Sequence, residues 1–350
     1  MLAVSLFHFP FKPMNTEILP THTPALFDAA VRRATELLRA GEVVALPTET
    51  VYGLAANALD EKAVAKIFRI KDRPANNPII VHIASVEMAK RCVTAWPNPA
   101  GKLARAFWPG PLTIVLPCAK KIPGIVTAGG KTVGVRWPGH PFIQAVIREC
   151  GFPLAAPSAN LSGRVSPTNA EHVHRQLGDK ISLIVDGGQS QVGIESAVLD
   201  LTVSPPQVLR PGMIHAESLA AVCDKVQGAG FRIQGSKTAL RSPGLLERHY
   251  SPKARLLVLG WHADADLNSQ LSTFKSQLLN CHVIAHTHIP SAEHFARVSV
   301  IPHDAEAFAR AIYAELHRCD AAGAELIVVE TPPALPEWSG IADRLRRAAA

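Results

Sequence analysis

The sequence is poor in aromatic residues and lacks the common catalytic signatures, and both shortages narrow the possible functions. Only 6% of its 350 residues are Phe, Trp or Tyr, so an exposed aromatic platform that stacks single-stranded nucleic acid is not expected. The sequence contains no HExxH or zinc-spaced Cys/His cluster, no GxSxG and no GxGxxG. These absences argue against a zinc centre, a serine nucleophile and a dinucleotide site. They favour chemistry that needs neither a protein nucleophile nor a protein-bound metal.

Disulfide patterns and membrane segments are also missing. The six cysteines include no CxxC pair, and scattered cysteines are typical of reduced thiols, so we expect a cytoplasmic protein. No apolar run approaches the roughly 20 residues of a membrane helix. The composition, 47% hydrophobic and 19% charged, argues against disorder. The net charge of +7 favours anionic partners such as nucleotide, pyrophosphate or RNA.

Strand-like and helix-like segments alternate along the chain, a pattern that predicts α/β architecture with two domains. A capping hydroxyl and a proline at Thr23-Pro24 indicate the first helix. The segment before it is expected to be flexible, with Met1 or Met14 as its start. The predicted parts of the chain are, in order, a flexible tail (1–22), a catalytic domain (23–225), a linker with many Gly, Ser and Pro residues (226–253) and a smaller Rossmann-like open α/β domain (254–350).

A glycine-rich segment from Gly124 to Thr132 imitates the P-loop pattern GxxxxGK[ST]. Its spacing is one residue too long. The residues that follow are predicted to form a strand that ends at Pro138, whereas a P-loop needs a helix whose N-terminus binds phosphate. A P-loop nucleotide site is therefore not predicted.

Two polar segments between apolar strands, 46–54 and 71–82, are the strongest functional signal. They crowd hydroxyls, cations, an amide and an imidazole into loops, which is where binding and catalysis concentrate. Arginine suits a bidentate grip on phosphate or carboxylate, so we interpret the polar residues at strand ends as an anion site. Ordinary turns and a salt-bridge network are the alternatives. The residues concerned are Lys71, Arg73, Arg136, Arg210, Thr50, Thr132, Ser158, Asn160, Ser166 and Ser196.

Taken together, these segments resemble the YrdC family, and the resemblance covers nearly the whole chain after Met14. The segment from Ser242 to Pro252, which contains Arg248-His249-Tyr250, precedes an α/β domain and is similar to the two-domain form of that family. The motifs that carry the resemblance are PTETVYGL (47–54), Lys71 with Arg73, NPIIVH (77–82), VRWPGH (135–140), Ser158 with Asn160, GIES (193–196) and LRPG (209–212).

The resemblance implies an L-threonylcarbamoyladenylate synthase. Such an enzyme makes threonylcarbamoyl-AMP and pyrophosphate from L-threonine, bicarbonate and ATP, with Mg²⁺ carried by the ATP phosphates and no metal site of its own. A separate transfer complex then moves the threonylcarbamoyl group to the adenosine beside the tRNA anticodon. The implied fold is a twisted mixed sheet around a basic cavity, which the linker and second domain close.

The resemblance also implies a role for each matching residue. Threonine would be bound by Thr50, His82, Arg136, the backbone of Ala156, and Ser196. ATP would be bound by Arg73, Asn77, Thr132, Ser158, Ser166 and Arg210, with His249 and Tyr250 on the linker as a lid. Catalysis is assigned to Lys71, Arg73, Ser158 and Asn160, with Lys71 and Asn160 beside the phosphates.

Some features of the sequence leave room for other interpretations. Trp137 and Ala197 stand where the family more often has methionine and threonine, so the resemblance does not fix the shape of the pocket. A non-enzymatic module that binds tRNA or double-stranded RNA, or an enzyme that makes weak contact with tRNA, would also suit a basic concave surface. Carbamoyl transfer to another protein is a third possibility, but the zinc-finger and acylphosphatase-like segments that normally accompany it are missing from the sequence.

Overall fold

A ten-stranded mixed sheet organises the larger part of the chain in the computed structural model, which describes residues 15–228, 242–244 and 249–350. Its strands lie in the order β1-β8-β2-β3-β7-β4-β6-β5-β9-β10, with both parallel and antiparallel neighbours. This confirms the predicted mixed sheet. The strands are β1 (Glu17–Pro20), β2 (Val44–Leu46), β3 (Gly53–Asn57), β4 (Val81–His82), β5 (Leu112–Pro117), β6 (Thr132–Arg136), β7 (Leu154–Ala155), β8 (Leu183–Asp186), β9 (Ala197–Asp200) and β10 (Gln207–Arg210).

The first two helices of this part begin at capping side chains, those of Thr23 and Asp60. The first helix begins where Thr23 Oγ1 accepts a hydrogen bond from the backbone N–H of Leu26 at 3.3 Å. The second is capped by the Asp60 carboxylate and ends at Asp72, whose left-handed backbone turns the chain into the loop that carries Arg73. The helices are α1 (Pro24–Arg39), α2 (Glu61–Lys71), α3 (Val86–Cys92), α4 (Asn98–Phe107), α5 (Pro141–Cys150), α6 (Ala170–Leu177) and α7 (Ala216–Cys223).

The second domain is a four-stranded sheet in which all neighbouring strands are parallel, in the order β11-β14-β12-β13. This confirms the predicted open Rossmann-like domain. Its first helix stops at Gln270, and a 3₁₀ helix follows over Ser272–Asn280, within which the backbone at Phe274 departs from helical angles. The elements are β11 (Arg255–Leu259), β12 (Cys281–Ala285), β13 (Arg297–Val300), β14 (Leu326–Glu330), α8 (Asp264–Gln270), α9 (Ala305–Ala321) and α10 (Ser339–Ala348).

The prediction of a flexible tail over 1–22 is wrong for its last part. Residues of β1 pair in parallel with β8, from Glu17 beside Leu183 to Pro20 beside Asp186. The sequence signal is weak because this edge strand is four residues long and none of its side chains is fully buried, so backbone pairing holds it rather than an apolar face. The remainder of the tail, 1–14, and the linker segments 229–241 and 245–248, including Arg248, lie outside the described residues.

The structure agrees with the prediction that the segment from Gly124 to Thr132 is not a P-loop. The residues after Lys131 form β6, which pairs with β5 and β4. A strand therefore stands where a phosphate-binding helix would be needed. Among the described residues, no helix combines the length and apolarity required to cross a membrane.

The two domains share an apolar core. Val51, Val165 and Ile194 of the larger domain belong to the same buried cluster as Phe308 and Ile312 of α9. Val51 follows β2 and Ile194 precedes β9, so the second domain packs directly on loops of the first. The position of these loops therefore depends on both domains.

Candidate active site

Loops from distant parts of the chain enclose one small cavity of about 50 Å³ beside the large sheet. The polar side chains that line it come from the ends of strands β2, β4, β6, β7 and β10, from the loop after α2, and from the linker. They include three arginines, separated along the chain by more than 60 residues each. The lining residues that carry polar side chains are Thr48, Tyr52, Arg73, His82, Arg136, Ser158, Glu195, Arg210, His249 and Tyr250.

Arg73 is held rigidly by the loop that follows it. Its Nε donates to the carbonyl of Asn77 at 3.0 Å, and its Nη2 donates to Asn77 Oδ1 at 2.8 Å and to the carbonyl of Pro78. Burial lowers the pKa of Arg73 to about 9, with a further lowering from the charge of Arg210 that the Tyr250 hydroxyl opposes. Asn77 keeps one buried amide nitrogen without a partner among the described residues.

Arg136 and His82 lie side by side because β4 and β6 pair in that register. Arg136 Nη2 lies 2.7 Å from Glu49 Oε1, and its Nε donates to the carbonyl of Gly110 at 3.3 Å. Burial, followed by the charge of Arg136, lowers the pKa of His82 to about 3. The imidazole is therefore neutral at physiological pH and adds no charge to the cavity.

Arg210 joins two loops at the wall of the cavity. Its Nε donates to the carbonyl of Ser196 at 3.1 Å, and its Nη2 donates to Ser196 Oγ at 3.2 Å. The same hydroxyl lies 2.8 Å from Thr113 Oγ1. Burial lowers the pKa of Arg210. Its Nη1 also donates to the carbonyl of Pro243 at 3.4 Å, so the linker rests on this arginine.

Lys71 lies next to the cavity wall, not among the residues that line it. Its ammonium donates to the carbonyls of Ser158 and Asn160, and burial, with a smaller effect from Arg73, lowers its pKa well below the usual value. Asn160 donates from Nδ2 to the carbonyls of Leu161 and Arg164, both at 2.8 Å. In this structure the cation therefore holds the loop that carries Ser158, which does line the cavity.

The remaining predicted residues are divided between the cavity wall and its surroundings. Ala156 lines the cavity, and its N–H donates to the carbonyl of Ile80 at 3.2 Å. Thr50 lies behind Thr48, with the two hydroxyl oxygens 3.0 Å apart. Ser166 is buried and donates to Glu195 Oε1 at 2.6 Å.

A smaller neighbouring cavity contains the last predicted residue. Thr132 lines it together with Thr113 and the linker residues Ser242 and Pro243. Pro243 lines both cavities, so this part of the linker lies between them. Thr132 therefore lies near the site but in the smaller cavity, and Pro243 of the linker lies between it and the cavity of Arg73 and Arg136.

His249 and Tyr250 close the cavity from the linker side. Tyr250 has a left-handed backbone (φ of 63°), and its ring meets His249 edge-on at 4.0 Å and stacks on Tyr313 of α9 at 6.0 Å. The N–H of His249 donates to the carbonyl of Arg347 in α10 at 3.1 Å. Both residues are thereby anchored to the second domain.

Sequence reasoning missed Thr48, Tyr52 and Glu195 as cavity residues. Each belongs to a motif that was recognised, but alternation along a loop does not reveal which side chain points inward. Glu49 was missed for the same reason, although it forms the ion pair of Arg136. Arg344 of α10, which binds Glu195 at 2.7 Å, left no local signal because its partner lies 149 residues away.

Positive charge exceeds negative charge in this site. Glu49 pairs with Arg136 and Glu195 with Arg344, whereas among the described residues Lys71 and Arg73 form no ion pair with a carboxylate. Buried cations with lowered pKa values indicate a place where a bound anion would be stabilised. No group of three or more His, Cys, Asp or Glu side chains in the described part of the chain could hold a metal ion.

Comparison with known proteins gives family matches to both domains. Residues 36–212 match the Sua5/YciO/YrdC model, described as telomere recombination, and residues 214–350 match the model of the threonylcarbamoyl-AMP synthase C-terminal domain. The chain is 39% identical to threonylcarbamoyl-AMP synthase of Pyrococcus abyssi over 91% of this chain and 93% of that protein. It is 46% identical to the Bacillus subtilis enzyme of the same name over 69% of each chain.

Solved structures agree with these matches. The crystal structure of P. abyssi Sua5 complexed with L-threonine has a TM-score of 0.88 and 37% identity, covering 95% of this chain and 98% of that one. The structure of a doubly substituted variant of P. abyssi Sua5 has a TM-score of 0.87 and 36% identity, covering 95% and 96%.

Proposed function

Since the chain belongs to the Sua5/YrdC family of threonylcarbamoyl-AMP synthases, we propose that it makes threonylcarbamoyl-AMP and pyrophosphate from L-threonine, bicarbonate and ATP. The observation that carries the proposal is the convergence of Arg73, Arg136 and Arg210 on one cavity beside the neutral His82. Three buried guanidinium groups suit a substrate pair with several negative charges, namely an amino-acid carboxylate and a triphosphate.

The reaction needs positioning more than protein chemistry. The threonine amine takes up the carbon of bicarbonate as carbon dioxide, with loss of water, and forms a carbamate. A carbamate oxygen then forms a bond to the α-phosphorus of ATP, and the bond from that phosphorus to the bridging oxygen breaks, which releases pyrophosphate. No covalent bond to the protein forms at any step. The enzyme can therefore lower the barrier by aligning the reactants and by stabilising the negative charge that develops.

Threonine is assigned to the side of the cavity near β4 and β6. Arg136, fixed by Glu49 and Gly110, would bind the carboxylate, and neutral His82 would hydrogen-bond without repelling the amine. Thr50, the Ala156 backbone and Ser196 complete this subsite in the proposal. The support for it is the adjacency of His82 and Arg136, and a threonine complex is known for the P. abyssi relative.

The triphosphate is assigned to the opposite side. Arg73, Asn77, Ser158 and Arg210 would bind its oxygens, and Thr132 and Ser166 would contact the nucleotide after the linker moves. Lys71 and Asn160 would act on the phosphates through the loop at Ser158, which they hold. The free amide nitrogen of Asn77 supports this assignment because a buried donor calls for an acceptor.

Mg²⁺ belongs to the substrate in this proposal. Glu195, which lines the cavity, and Glu49, which pairs with the lining residue Arg136, are each engaged by an arginine, so they do not form a ligand set for a resident ion. The ion would arrive on the triphosphate of ATP.

His249 and Tyr250 are proposed as a lid. A cavity of about 50 Å³ holds far less than the two substrates, so the linker residues that line it, Pro243 among them, must withdraw for binding and return to exclude water from the mixed anhydride. The product would pass to a transfer complex that modifies tRNA in the cytoplasm.

The proposal is tested by pyrophosphate release from the purified full-length protein. Release is expected only when L-threonine, bicarbonate and Mg-ATP are all present, and mass spectrometry should identify threonylcarbamoyl-AMP. Pyrophosphate release without threonine would contradict the proposal. Salt-sensitive tRNA binding with no ATP consumption would instead favour the RNA-binding alternative.

A further inference from the structure

Arg344 of α10 reaches from the second domain into the loops that border the cavity. It is 1% exposed. Its Nε donates to Glu195 Oε2 at 2.7 Å, and its Nη2 donates to the carbonyl of Glu195 at 3.3 Å and to the carbonyl of Pro211 at 3.0 Å. One guanidinium group thus ties together the loop before β9 and the loop after β10.

These two loops adjoin proposed substrate-binding residues, Ser196 of the threonine subsite and Arg210 of the nucleotide subsite. Glu195 lines the cavity, and its other carboxylate oxygen accepts the hydrogen bond of Ser166 at 2.6 Å. Arg210 directly precedes Pro211 and is itself bonded to Ser196, which directly follows Glu195. The contacts of Arg344 are therefore one residue removed from the groups proposed to bind the substrate.

The backbone leaves little room for these loops to shift. A Cβ atom at Gly340, near the start of α10, would lie 2.9 Å from the carbonyl carbon of Gly212. A Cβ atom at Gly212 would lie 2.4 Å from the backbone nitrogen of Ala197. Helix α10, the loop after β10 and strand β9 are thus in direct contact, so the orientation of Arg344 is fixed relative to both loops.

The charges of this contact are buried together. Asp343 Oδ2 accepts from Arg344 Nη1 at 2.9 Å, and Tyr313 donates to Glu195 Oε2 at 3.2 Å. Burial alone would raise the pKa of Glu195, but the charges of Arg344 and Arg210 and the hydrogen bond from Ser166 hold it below the usual value. Removing one partner would leave the other charge buried and uncompensated.

We propose that Arg344 is a positioning residue of the enzyme, through which the second domain holds Glu195 and the loop of Arg210 in the arrangement that binds the nucleotide. The inference rests on the proposed function for the identity of that ligand. A lysine at this position would keep the charge but not the planar fork, so it could not serve the Glu195 carboxylate and both carbonyls together.

The test compares Arg344→Lys with Arg346→Lys in the full-length protein. Arg346 lies on the same helix and also binds Asp343, at 3.0 Å, but its side chain is half-exposed. Calorimetric titration with a non-hydrolysable ATP analogue should show about tenfold weaker binding for Arg344→Lys, the size expected of coupling within one hydrogen-bond network. Threonine affinity should change less than threefold, because Arg344 contacts no residue of the proposed threonine subsite and only one member of that subsite, Ser196, adjoins its contacts. Arg346→Lys should match the wild-type protein for both ligands.

A double substitution separates positioning from simple stability. If Arg344 acts through Glu195, adding Arg344→Lys to Glu195→Gln should weaken nucleotide binding by much less than tenfold further. A lower melting temperature with unchanged nucleotide affinity would overturn the inference. If the wild-type protein binds the analogue but releases no pyrophosphate with all substrates present, the proposed function fails while the Arg344 comparison still decides this inference. Absence of nucleotide binding by the wild-type protein would overturn both.

Discussion

Arg136 and Glu49 form an ion pair at the wall of the cavity, with Arg136 Nη2 2.7 Å from Glu49 Oε1 and both side chains largely buried. The pair joins the loop after β2 to the end of β6, two segments that are 87 residues apart along the chain. Because this ion pair and the hydrogen bond from Nε to the Gly110 carbonyl hold the guanidinium, the remaining donors have a defined direction. This relationship makes Arg136 a preorganised anion binder.

Arg136→Lys should weaken threonine binding by about tenfold, because lysine retains the charge but loses the bidentate geometry. Nucleotide affinity should stay within a factor of about two, since Arg73 and Arg210 are unaffected. Calorimetry with each ligand separately measures the difference. The control is Arg148→Lys, which alters an exposed arginine bonded to Gln144 on α5. Equal losses for both ligands would contradict the division of the cavity into two subsites.

Arg73→Ala should reduce kcat/KM by about 100-fold or more, the usual range for loss of a preorganised charge in a water-excluded site. The fold should persist, because the loop of Asn77 is also held by backbone hydrogen bonds. Steady-state pyrophosphate release measures the loss of kcat/KM, and circular dichroism checks that the fold persists. Arg32→Ala on the exposed side of α1 should leave the rate unchanged. Wild-type turnover in Arg73→Ala would show that the phosphate grip lies elsewhere.

His82 should make the protein less stable as the pH falls from 7 to 5. Its pKa is lowered to about 3 in the folded protein from the usual 6.5, so the unfolded chain binds the proton first and stability rises with pH across this window. One histidine that stays neutral in the folded state lowers the free energy of unfolding by about 2 kcal/mol between pH 7 and pH 5. Urea unfolding at several pH values measures the slope. His82→Gln should reduce this slope by the contribution of one histidine, because His172 and His249, whose pKa values burial also lowers to about 3, still add theirs. An unchanged slope would show that folding does not lower the pKa of His82.

Gly193→Ala should destabilise the contact between the domains. Gly193 has a left-handed backbone (φ of 86°), and a Cβ atom there would lie 2.2 Å from the carbonyl oxygen of Ala309 in α9. The expected cost is about 3 kcal/mol or more, because backbone strain and a clash with rigid backbone add. Gly151→Ala is the matched control, with a similar φ of 77° but open space around it, and should cost about 1–2 kcal/mol. Equal costs in chemical denaturation would mean that the interface adapts.

Much of the fold followed from local patterns. The helix that begins after Thr23 was predicted, because capping groups and apolar spacing act over a few residues. The edge strand β1 and the short strand β3 were not predicted. Their place depends on pairing with β8, β2 and β7, and such long-range partners leave no local periodicity.

The sequence predicted which residues belong to the candidate site more reliably than it predicted how they are arranged. The motifs named Arg73, His82 and Arg136, which do meet in one cavity. They also named Lys71 as a group beside the phosphates, whereas its ammonium is used by the backbone carbonyls of Ser158 and Asn160. Whether a polar side chain faces a cavity or supports it is decided by the packing of neighbouring loops.

The sequence by itself determined the α/β class, the lack of a P-loop, the family and the collection of cations at strand ends, because these depend on composition, spacing and local motifs. Only the tertiary structure decided which cations share a cavity, which carboxylates pair with them, and that α10 holds two of its loops through Arg344. Those relations join residues up to 149 positions apart. Their energy comes from burial and from charge compensation, which exist only after the chain has folded.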